Sequence, residues 1–137
     1  MKISKHFHDY EILSPKLIEL CREKNIPTIW FIPEIVIDFL ESLRDIFNKP
    51  VYVNHKNLNL RGICTNEENL DEDRTLLSQH NFSAIDVSIY AIDQEVLYNW
   101  VKSNAEAFLI GGFGMNWKEK FIHIDWRNAK EPIKWHY

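Results

Sequence analysis

Two short stretches alternate so strictly between apolar and polar side chains that they fix the kind of fold available. From Ala84 to Tyr90, Ile85, Val87 and Ile89 share one face, while Asp86, Ser88 and Tyr90 share the other. From Phe121 to Arg127, the residues Ile122, Ile124 and Trp126 point one way, and Phe121, His123, Asp125 and Arg127 the other. Successive side chains of a strand leave on opposite faces, so a period of two reads as a half-buried strand. The chain must therefore hold a sheet with one face in a core. The other face carries Asp86, His123 and Asp125, with His80 just upstream of the first strand. Histidines and aspartates presented in this way can build a His/His/Asp metal site.

Helices flank these strands. Ser14 followed by Pro15 reads as an N-cap with proline at the first helical position, opening a helix through Leu17, Ile18, Leu20 and Cys21 that stops near Asn25. A second helix starts at Pro33, with Ile35, Val36, Phe39, Leu40, Leu43 and Phe47 at helical spacing. It ends at Asn48-Lys49-Pro50. Val51 to Val53 is a short strand candidate, and Asn54 to Asp73 a polar, acidic loop. Asp93 caps a third helix with Val96, Leu97, Trp100, Val101 and Phe108 on its buried stripe. Gly111, Gly112 and Gly114 are expected to form a turn into the last strands. The aromatic tail from Pro132 to Tyr137 is expected to pack on the domain, as are Phe7 and Tyr10 near the start. The order indicates an α+β domain, a small antiparallel sheet with flanking helices, spanning residues 1–137.

Composition excludes several functions. A chain of 137 residues with 45% hydrophobic and 26% charged residues is long enough for one real core. Its net charge of −4 disfavours nucleic acid and anionic membranes as partners. No run approaches membrane-spanning length, so no membrane insertion is expected. The first residues carry no apolar leader, and a cytoplasmic place of synthesis is expected. Cys21 and Cys64 form no C-x-x-C pair, and Cys21 lies in an apolar helical pattern, so it is expected to be buried and inert. The glycines near residue 112 lack the G-K-[ST] of a phosphate loop.

The stretch Ser78-Gln79-His80-Asn81-Phe82-Ser83-Ala84-Ile85-Asp86 resembles the S-x-H-x-x-G-x-A-x-D signature of a zinc peptidase family. That family comprises D-alanyl-D-alanine carboxypeptidases and L-alanyl-D-glutamate endopeptidases, which cut peptidoglycan stem peptides and often serve phages as endolysins. Gly111-Gly112-Phe113-Gly114 followed by Phe121-Ile122-His123-Ile124-Asp125 is similar to the family's closing motif, which supplies the last zinc ligand. Ser4-Lys5-His6-Phe7 and Arg61-Gly62 also fit a phage and bacterial branch, so the resemblance covers nearly the whole chain. Two departures stand out. Ser83 replaces the family's glycine, and one residue is missing after it, so His80 and Asp86 are six apart where the family has seven.

The resemblance implies a fold of the type shared with the Hedgehog signalling domain. It implies Zn2+ held by His80, Asp86 and His123, and a peptidoglycan stem peptide as substrate. A metal in such a site acidifies water and polarises the scissile carbonyl. It also implies Arg61 as the group binding the substrate's carboxylate or carbonyl, a task suited to a planar fork of donors. Much of the family has an acid three residues before the last histidine; here that position is Lys120. The general base is then Asp125, unless Asp125 only orients His123, in which case Glu119 is the alternative. Such an enzyme would reach the wall after release or within a phage particle. The rival expectation is an inactive member serving as a virion or wall-binding module. The bond cleaved and the oligomeric state are open.

Overall fold

Both alternating stretches are strands in the computed structural model, which describes residues 1–53, 84–127 and 133–136. The elements run α1 (Asp9–Ile12), α2 (Pro15–Lys24), a 3-10 turn (Thr28–Phe31), α3 (Glu34–Phe47) and β1 (Val51–Val53). They continue with β2 (Ala84–Ile89), α4 (Gln94–Asn104), β3 (Gly112–Asn116), β4 (Phe121–Asp125) and β5 (Ile133–His136). The architecture is α+β, as expected. His80, Arg61, Cys64 and the acidic loop lie outside the described residues.

The helix signals act where the sequence puts them. The Ser14 hydroxyl accepts a hydrogen bond from the Leu17 amide at 3.2 Å, satisfying one of the donors that every helix N-terminus leaves over. Asn25 and Asn48 close α2 and α3 in the left-handed region, with φ of 54° and 49°. Asparagine tolerates that conformation better than most residues, which is why both helices stop there. One helix was not expected. In α1, the Glu11 carboxylate reaches back to the His8 amide at 2.7 Å and holds a single turn together. Ile12 is buried, as is Phe7 just before the helix, while Tyr10 stays 56% exposed and stacks on His8 instead of entering the core.

The sheet order is β1-β2-β4-β3-β5. Strands β1 to β4 are joined antiparallel, and β5 lies parallel to β3 at the edge. The C-terminal segment thus does more than pack on the domain: it extends the sheet. Two further expectations are corrected. The glycine stretch is no turn, because Gly112 to Asn116 is strand β3, paired along its length with β4. Ladder hydrogen bonds from a well-patterned neighbour override the poor strand propensity of glycine. The actual turn is one step later, where the Asn116 carbonyl and side chain receive the Lys120 and Glu119 amides, each at 2.8 Å. In α4 the buried stripe is Leu97 and Val101, and Val96 is 51% exposed. Phe108 packs on the core from beyond the end of that helix.

One continuous core unites these elements. The apolar sheet face (Ile85, Val87, Phe113, Met115, Ile122 and Ile124) packs with Val36, Phe39, Leu40 and Leu43 of α3 and with α4. Phe39 is its aromatic centre, with ring centroids of Trp100, Phe108 and Trp126 at 5.9, 5.6 and 5.7 Å. Cys21 is buried with a free thiol, and its pKa is raised, by burial first and then by the charge of Asp9. The burial is as expected, and a raised pKa keeps the thiol in its less reactive protonated form. Among the described residues, no helix is long and apolar enough to cross a membrane.

Candidate functional site

Strand register does the positioning. Asp86 of β2 stands directly opposite His123 of β4, and Ala84 stands opposite Asp125. On the other side of β4, Gly114 faces His123 and Gly112 faces Asp125. Directly opposite residues in an antiparallel pair are close enough for their side chains to touch. His123 therefore has a carboxylate as its register partner on one side and a glycine on the other. The glycines that interrupt β3 fall opposite the polar residues of β4.

The result is a chain of four polar groups. The His123 ring lies with Nδ1 3.1 Å from Asp86 Oδ1 and Nε2 3.1 Å from Asp125 Oδ2. Arg127 then clamps Asp125 from beyond the strand, with Nε donating to Oδ1 at 2.7 Å and Nη2 to Oδ2 at 2.6 Å. The Arg127 backbone amide also donates to Asp125 Oδ1, at 3.2 Å. Residues two apart on a strand share a face, which is how His123, Asp125 and Arg127 come to form one line.

Burial makes these contacts matter. Asp125 has no exposed surface and His123 is 6% exposed, while Asp86 is half-buried. Burial alone would lower the His123 pKa. The hydrogen bonds with Asp125 and Asp86, backed by their charges, outweigh it and raise the pKa from 6.5 to about 9. Burial would likewise raise the Asp125 carboxyl, but the hydrogen bonds from Arg127 and His123 win and hold it below its ordinary 3.8. A carboxylate this stabilised, with both oxygens engaged, is a strong orienting group and a weak proton acceptor.

Gly111 packs this end of the site. Its amide donates to the Asp125 carbonyl at 2.8 Å, and a Cβ there would run into the Arg127 carbonyl and side chain. Only glycine lets the chain pass this close to the residue that clamps Asp125.

Of the expected site residues, the structure brings Asp86, His123 and Asp125 into contact. Glu119 stands exposed in the turn leading into β4, four residues before His123. His80 and Arg61 lie outside the described residues. Among the described residues, no three His, Cys, Asp or Glu side chains are grouped to hold a metal. Arg127 has a larger role than the alternation alone assigns it. The signal was present, because the period of two puts it on the face of Asp125, but a lone arginine after a strand does not announce a two-point clamp.

Comparison of the chain with models of protein families, with curated proteins and with solved structures finds no match.

Proposed function

We propose that the chain is a zinc-dependent peptidase acting on peptidoglycan stem peptides, with a fold of the Hedgehog and D-alanyl-D-alanine peptidase type. One observation carries the reading: the pairing of Asp86 with His123 across β2 and β4, at 3.1 Å between Oδ1 and Nδ1. Two ligands at about 2.0–2.1 Å from a tetrahedral zinc stand roughly 3.3 Å from each other, so this pair has the spacing of one edge of such a site. Asp125 supports it too. Metal-bound histidines usually give their other ring nitrogen to a carboxylate, which fixes tautomer and ring orientation. Here Asp125 occupies that place and is itself locked by Arg127.

His80, six residues before Asp86, is the proposed third ligand. Zinc bound by these three residues supplies a Lewis acid that polarises a carbonyl and acidifies water. The chain's own residues do the rest. Asp125 holds the His123 ring by accepting its Nε2 proton. Arg61 binds the carboxylate or carbonyl of the peptide. Glu119 takes up a proton during attack, because both oxygens of Asp125 are already engaged.

A second reading has its own support. His123 is satisfied at both nitrogens by carboxylates, a self-contained ion cluster that holds β2 against β4 without a metal. On that reading the chain is an inactive virion or wall-binding module. Digestion of purified muropeptides separates the two. The peptidase reading expects zinc-dependent release of a peptide or terminal D-Ala, abolished by chelation and by Asp86→Ala or His123→Ala. Wall binding with no cleavage product at any zinc concentration would establish the module instead.

A further inference from the structure

The connection between α2 and α3 differs from the rest of the surface. From Asn25 to Pro33 the chain carries no charge, and Lys24 and Glu34 bracket the run. At its centre is the 3-10 turn Thr28–Phe31, in which no residue is buried. Trp30 is 75% exposed, Phe31 40% and Ile29 38%. A 3-10 helix has about three residues per turn, so three successive side chains leave it roughly 120° apart. A turn lying flat on a domain buries at least one of three such neighbours. Here none is buried, so the turn projects from the surface, with Trp30 its most exposed side chain.

The projection is built to hold its shape. Ile32 behind it is buried and Ile26 ahead of it is half-buried, so both ends are pinned. The Thr28 hydroxyl donates to Asp9 Oδ2 at 2.7 Å, tying the turn to α1, and Asp9 is itself buried. Several of the backbone groups need no water. The Trp30 amide donates to the Pro27 carbonyl at 3.2 Å, and the Ile32 amide to the Ile29 carbonyl at 3.1 Å. Pro27 and Pro33 have no amide hydrogen to satisfy. Main chain enters an apolar phase at low cost under these conditions, since an amide without a partner there is expensive.

We propose that this turn is a docking tip for a neutral lipid surface, with Ile29, Trp30 and Phe31 entering the boundary between headgroups and acyl chains. Area and charge choose the occupant. A fully buried aromatic side chain covers about 150–250 Å², so at these exposures the three residues offer on the order of 300 Å². Each side of a stable protein complex contributes about 800 Å², which leaves a second copy of this chain or a folded partner with too little contact. A projecting tip also needs a matching cavity in a protein, whereas a lipid interface yields to it. The tip carries no charge and the chain a net charge of −4, which repels anionic lipid and leaves the zwitterionic headgroup. Tryptophan suits that boundary, with an apolar ring and one donating N–H. Such a contact lies on the membrane without spanning it; among the described residues, no helix is long and apolar enough to cross. It is independent of the chemistry at Asp86 and His123.

The test is flotation of the purified chain with phosphatidylcholine vesicles, beside Trp30→Ala, Trp30→Phe and the double variant Ile29→Ser with Phe31→Ser. Wild type should float with the vesicles, with little change on adding salt. Trp30→Ala should lower the partition coefficient by about tenfold or more, and the double variant by a similar factor. Trp30→Phe should keep most of the binding. Vesicles with brominated acyl chains should quench part of the wild-type tryptophan emission and none of the Trp30→Phe emission, which reports the depth of that one indole. All three positions are exposed, so circular dichroism and the thermal midpoint of each variant should match wild type. No flotation, or equal flotation of Trp30→Ala, overturns the proposal. So does binding that requires anionic lipid and disappears in salt. Self-association that Trp30→Ala abolishes, without flotation, overturns it as well and gives the surface to a second copy of the chain.

Discussion

Arg127→Ala should destabilise the protein far more than removing an exposed arginine normally does. Asp125 is fully buried, and two of the four hydrogen bonds its carboxylate makes among the described residues come from the Arg127 guanidinium, at 2.7 and 2.6 Å. Truncation leaves the carboxylate with His123 and one backbone amide. Breaking a buried ion pair by deleting one partner typically costs about 3–5 kcal/mol. The Arg127 side chain is 25% exposed, so water screens part of that interaction, and His123 still compensates part of the charge. The expected loss is therefore about 2–3 kcal/mol, or roughly 8–12 °C in Tm for a domain of this size. Urea denaturation at neutral pH with a chelator present measures it without any contribution from metal. Arg127→Lys, which keeps the charge but not the fork, should lose about half as much. In a double-mutant cycle with Asp125→Ala, the two changes should fall short of additive by about 2 kcal/mol. A wild-type midpoint for Arg127→Ala, or strict additivity in the cycle, would refute the clamp.

The remaining predictions concern the supports around the site. Gly111→Ala should cost about 1–3 kcal/mol in thermal denaturation, because the new methyl group must displace the Arg127 carbonyl and side chain. Phe39→Ala should cost about 3–5 kcal/mol by removing the ring that three other aromatic side chains surround. Glu41 receives the Ser4 hydroxyl, the His6 amide and the His6 ring, and although burial opposes them, these bonds lower its pKa below 4.5. A depressed carboxylate contributes stability that is present above its unfolded pKa and lost as pH falls through the folded one. The stability gap between wild type and Glu41→Gln, followed by urea titration, should therefore close on acidification; a gap that widens would contradict the assignment.

Periodicity made much of this molecule readable. Strict alternation around Asp86 and His123 determined both the strands and the face their polar residues share, and Ser14-Pro15 and Asn48 marked helix ends by cap chemistry. What escaped were features set by pairing, not by local pattern. Gly112 and Gly114 read as a turn because glycine is a poor strand former, yet β4 recruits them as β3, opposite Asp125 and His123. The register that puts Asp86 opposite His123 joins residues 37 apart, and no local rule states it. The tail strand β5 was hidden for the same reason, since its partner β3 lies on the far side of β4. Arg127 was visible as a position but not as a clamp, because a period of two gives the face and not the contacts the side chain makes there.

The most direct test of the zinc reading is metal stoichiometry by elemental analysis of the purified chain, beside His80→Ala, His123→Ala and Asp125→Asn. The account predicts one zinc per chain, lost in both histidine variants. In Asp125→Asn the metal should be retained with affinity weaker by about 10- to 100-fold, as for other carboxylates that orient a metal-bound histidine. No zinc on the wild-type chain after incubation with excess metal would contradict it, leaving His123 as the centre of an ion cluster that holds two strands together.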